Sequence, residues 1–84
     1  MQIQTSTDFQ KISDQLRKDL RSIGYNPDLS KMFLNVERMV SDLNKLEVVA
    51  RRKHNDTMTI DKVTEINKAI DHLEKLIMMA KLML

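Results

Sequence analysis

Leu29, Met32, Val36, Met39, Leu43, Leu46 and Ala50 recur at alternating steps of three and four residues, and Val63, Ile66, Ile70, Leu73, Ile77, Ala80 and Leu84 do the same. This pair of apolar seams constrains the fold more than any other feature of the chain. A 3.5-residue period puts each seam on one face of an α-helix, and no strand can use it, because side chains two apart share a face in a strand. Seams of equal length, parted only by the polar stretch 51–58, predict an antiparallel, coiled-coil-like hairpin roughly 35–40 Å long at ~1.5 Å per residue. One Gly, one Pro and three aromatics among 84 residues oppose a β-sandwich or barrel, which needs frequent turn residues.

A shorter helix precedes the hairpin. Phe9, Ile12, Leu16, Leu20 and Ile23 share one helical face, and Gly24 follows as a residue suited to the left-handed closure of a helix. Thr7 and Gln10 have capping-box spacing, which places the first helix at about 8–23. Asn26-Pro27-Asp28 reads as a cap, a proline at the first helical position and an acid at the positive end of the dipole, so the second helix is expected at about 27–53. Thr59 is the expected cap of the third, about 59–83, with Met58 and Val63 as a hydrophobic staple. The predicted architecture is one all-α domain over 1–84, a three-helix bundle made of a short helix and a long hairpin.

Phe33 and Val40 widen the second seam in its first half only, and there the first helix is expected to pack. At about 16 residues it spans only ~24 Å and leaves the far half of the hairpin two-stranded. Leu46, Val49, Ala50, Val63 and Ile66 would then be partly wet, and this set is the expected self-association surface of a dimer or higher oligomer. The size of the chain supports the same expectation. A domain this small buries only ~60–65% of its unfolded surface, and without cysteines it has no disulfide to stabilise it. The last eight residues, Ile77 to Leu84, are apolar on nearly every side, which marks Met78, Met79, Leu82 and Met83 as the expected partner-binding surface.

Chemistry has few candidates. His54 and His72 lie on different elements, and the residues three before them are Arg51 and Ala69, so the Glu-x-x-His pattern of a di-metal bundle is missing. There is no Gly-rich phosphate loop and no nucleophile set beside a base, so no enzyme, metal or cofactor is expected. The formal net charge of +2 is too small to draw nucleic acid by bulk electrostatics. Arg51, Arg52 and Lys53 form a local basic tip that could meet an anion or nucleic acid, although cations at a helix C-terminus also offset its dipole. Arg17, Lys18 and Arg21 read as a solvated face with Asp14 and Asp19. The start of the chain lacks the pattern of a secretory signal, and Lys75 and Lys81 interrupt its greasiest stretch, so a cytoplasmic location is expected. Association of the apolar C-terminus with a membrane surface is the further alternative.

Tyr25-Asn26-Pro27-Asp28-Leu29-Ser30 resembles, over those six residues, the turn of type III secretion needle subunits, which lack the second break and third helix expected here. As a whole, a tiny helical chain rich in Lys, Asp, Asn, Ile and Met resembles accessory proteins of large tailed bacteriophages. That resemblance implies a regulatory protein that inhibits or redirects another protein. The functional expectation is a non-enzymatic interaction module that binds itself and a protein partner, as an inhibitor, antagonist or assembly chaperone.

Overall fold

The structure is a computed structural model that describes the backbone of residues 2–53 and 57–83 and the side chains of 2–49 and 59–83. Within these residues the chain is all helical: α1 spans Ser6–Ser22, α2 Pro27–Lys53 and α3 Thr57–Leu82, and no strand is present among them. The body measures 49 × 19 × 15 Å, close to the ~40 Å expected of the 27-residue α2 with a few residues of overhang.

The seams are the core. Leu29, Val36 and Leu43 of α2 are buried against Ile66, Ile70, Leu73 and Ile77 of α3, and Met32, Met39, Val63, Leu76 and Ala80 pack around them. The antiparallel register is shown by Asp42 meeting Lys62 at 4.0 Å and by Met39 and Ala69 lining one groove. α1 lies on the widened half of α2, where Phe33 and Val40 are also buried. Phe9 meets Phe33 at 6.4 Å between ring centroids, and the Arg17 guanidinium sits 5.7 Å over the Phe33 ring while bonding Glu37 at 3.3 Å.

Local chemistry sets the ends of the elements. Asn26 Oδ1 accepts from the backbone N–H groups of Asp28 and Leu29, so Pro27 opens α2 with two of the free donors satisfied. Gly24 closes α1 at φ +82 and donates its N–H to the Arg21 carbonyl. The start of α1 differs from the sequence expectation. Thr5, not Thr7, is the cap: its hydroxyl accepts from Asp8 N–H at 3.3 Å, and the Asp8 carboxylate accepts from Thr5 N–H at 3.2 Å and Gln4 N–H at 3.1 Å. Two overlapping boxes compete here, and a charged carboxylate at the positive end of the dipole is a stronger acceptor than the amide of Gln10. Helix α3 likewise starts at Thr57, so Thr59 stands inside it and does not cap it. The Met58 side chain, half of the expected staple, lies outside the described residues.

Residues 2–5 add a part that has no periodic signal. Ile3 is only 1% exposed and belongs to the core. Its backbone N–H donates to Asn67 Oδ1 at 2.7 Å, and its carbonyl accepts from Asn67 Nδ2 at 2.8 Å. This strap of residues 2–5 joins α1 at Ser6, whose N–H and Oγ–H donate to the Glu47 carboxylate at 2.9 and 2.8 Å.

Candidate interaction surfaces

The strap changes the expected self-association set. Ile66 is fully buried inside the monomer, so it presents no surface to a second chain. The reason is that Ile3, clamped to neighbouring Asn67, extends the cover of α1 by several residues along α3. Leu46 and Val63 are half-buried, Val49 is exposed, and the Ala50 side chain lies outside the described residues. Two residues outside that expectation are bare on the strap's side of the hairpin: Val48, 45% exposed, and Ile60, 62% exposed. Val48 lies one turn beyond Asn44, which faces Ser6, and Ile60 two turns from Asn67, so both flank the groove just past the strap. The seams alone did not reveal them, because both stand off the seam on the flank that a third helix would cover.

The apolar end of α3 is the larger bare surface. Met78, Met79, Leu82 and Met83 are 64, 52, 83 and 87% exposed, while Ile77 just before them is buried. These four sites therefore stand together on the outside of the last turns, as the all-round apolar character of the segment requires. Beside them, Lys81 Nζ reaches Asp19 Oδ1 at 3.0 Å and ties α3 to α1. The pair rims a cleft of about 240 Å³ between the two helices, floored by Ile12, Leu16, Ile77 and Met78. On the opposite side of the hairpin, Met32, Met39, Ala69 and His72 line a depression of about 160 Å³.

Among the described residues no three His, Asp or Glu side chains come together as a metal site would require. His72 is exposed on α3, and His54 lies outside the described residues, as do the side chains of Arg51, Arg52 and Lys53 that form the expected basic tip. The cations of α1 are partly drawn into ion pairs, Arg17 with Glu37, and Asp19 accepts from Lys81 and from Gln15. Of the acids, Asp8 has its pKa held below the ordinary value by the backbone N–H groups of Gln4 and Thr5 that donate to it. No described helix is long and apolar enough to cross a membrane. No protein-family model matches the chain, and no curated protein or solved structure matches it.

Proposed function

We propose that this chain is a non-enzymatic protein-interaction module that self-associates and holds a protein partner through the apolar end of α3, acting as an inhibitor, antagonist or assembly chaperone of the phage type that its composition resembles. The reading is carried by one observation: four large apolar side chains, Met78, Met79, Leu82 and Met83, stand exposed together over the last turns of α3. Contiguous apolar surface is costly in water and in stable folds usually marks a contact. Methionine suits that use, since an unbranched thioether chain adapts to a partner's shape at little conformational cost. The cleft beside Met78 gives such a partner a second foothold between α1 and α3.

The test replaces the surface and leaves the core alone. Met79→Glu with Leu82→Glu is expected to keep the helical circular dichroism of the parent and to lose the protein captured by the parent chain in pull-downs. Capture and oligomer size that are both unchanged in the double variant would overturn the reading. Flotation of the parent chain with vesicles is the control for the membrane-surface alternative.

A further inference from the structure

Sulfur in this chain is confined to methionine, since it has no cysteine. The five methionines among the described side chains fall into two groups. Met32 and Met39 are partly buried against the core of the hairpin, whereas Met78, Met79 and Met83 are 64, 52 and 87% exposed. The exposed large apolar side chains elsewhere, Tyr25, Leu34, Val48, Val49 and Ile60, carry no sulfur. Every exposed thioether among the described residues therefore lies in one patch, beside Leu82. A bare thioether is open to a two-electron oxidant, and its sulfoxide is polar where the thioether is apolar. The patch is also set apart from the fold. Ile77 and Ala80 hold α3 to the core on its inner side, and Lys81 ties it to Asp19 of α1, so an oxygen added on the outer face does not enter the core.

Resting on the partner surface of the proposed function, we infer that Met78, Met79 and Met83 form a redox-modification site, at which a peroxide turns the apolar end of α3 polar and releases the protein held there while the bundle stays folded. A lone pair on each sulfur attacks one oxygen of hydrogen peroxide, the O–O bond breaks, and the thioether becomes a sulfoxide. Sulfur gives up the two electrons that the peroxide gains, and the proton on the transferred oxygen passes to the departing hydroxide, which leaves as water. Reversal needs two thiols, which end as a disulfide while the oxygen leaves as water, and methionine sulfoxide reductases catalyse it for each sulfoxide epimer. A sulfoxide pressed into an apolar contact without a donor is a buried acceptor left unpaired, which lowers affinity on the order of tenfold or more. Three of the four exposed side chains in the patch change together, so the effect falls on the whole contact and not on its edge.

The test treats the full chain with dilute hydrogen peroxide at neutral pH and follows each methionine by peptide mass spectrometry. Met78, Met79 and Met83 are expected to gain one oxygen each several-fold faster than Met32 and Met39, with the helical circular dichroism unchanged. Retention on a hydrophobic-interaction column is expected to fall in step, and to be restored by the two epimer-specific sulfoxide reductases with dithiothreitol. A Met78→Leu, Met79→Leu, Met83→Leu chain keeps an apolar patch without its thioethers, and its retention is expected to be unmoved by the same treatment. Equal rates at all five methionines, loss of helicity in step with oxidation of the three, or the same fall in retention in the leucine variant would each overturn the site. A protein captured by both chains in pull-downs is expected to be released by peroxide from the parent alone. Capture that survives oxidation of the parent overturns the inference and leaves the proposed function standing. A parent that captures nothing overturns the proposed function instead, and the column and the mass spectra then decide the modification site.

Discussion

At the scale of single residues, the ends of α1 show how few atoms decide where an element starts and stops. Thr5 and Asp8 satisfy backbone donors of each other and of Gln4, which would otherwise be free at the start of the helix. Because these bonds favour the ionised carboxylate, the folded pKa of Asp8 lies below its ordinary value of 3.8. A lowered folded pKa contributes stability above the unfolded value, and that contribution is lost as pH falls through the folded one. Denaturant unfolding from about pH 5 downward is therefore expected to show a steeper loss of stability in the parent than in Asp8→Asn, whose curve lacks this component. Asp8 is solvent-exposed, so the difference is expected to be small. Gly24 gives a second prediction. At φ +82 it occupies the left-handed region, yet a Cβ added there would meet nothing within 4 Å, so the cost of a side chain is conformational and not steric. Gly24→Ala is expected to destabilise by about 1 kcal/mol and Gly24→Asn by less, both measured by chemical unfolding.

At the scale of elements, the hairpin is the structural frame and α1 with its strap is the cover. Leu43, Ile66, Ile70 and Leu73 are fully buried where the two seams meet, each of the kind whose burial is worth ~1.5–3 kcal/mol. Leu34 is on the same helix as Leu43 but faces outward and is half-exposed. Leu43→Ala is expected to cost about 2–5 kcal/mol, because it opens a cavity in a packed seam, while Leu34→Ala should change stability by less than about 0.5 kcal/mol. Equal effects in thermal or urea unfolding would mean that the register of α2 differs from the one described. The cover is held differently along its length. Near its C-terminus α1 is tied by Lys81 to Asp19 and by Arg17 to Glu37, both solvent-accessible pairs of modest worth, whereas the strap end is tied by backbone hydrogen bonds and a buried Ile3.

At the scale of the whole molecule, the described residues form a rod 49 Å long and only 15–19 Å wide. A narrow rod has much surface for its volume, which is the physical reason that Val48, Ile60 and the last turns of α3 remain bare. Mass action makes association visible through concentration: light scattering over about a hundredfold range is expected to show the apparent mass rising above that of one chain. A constant monomer mass across that range would remove the self-association half of the proposed function. It would leave the α3 surface as the candidate for a hetero-partner.

The periodic apolar spacing determined, by itself, that the chain is helical, that the second and third helices run as a hairpin and that α1 packs on the half marked by Phe33 and Val40. Gly24 and Asn26-Pro27 determined the break between α1 and α2. These are local properties of backbone and side chain, repeated often enough to be read without neighbours. Only the tertiary structure decided that Ile3 is core, since one apolar residue in a polar stretch has no period and its clamp, Asn67, lies 64 residues away. The same contact turned Ile66 from an expected surface residue into a buried one. The cap stands at Thr5 and not at Thr7 through local bonds with Asp8, and a second long-range contact, the Glu47 carboxylate accepting from Ser6, helps set the point at which α1 begins. A seam shows which side of a helix avoids water, but what covers that side is a property of the whole chain.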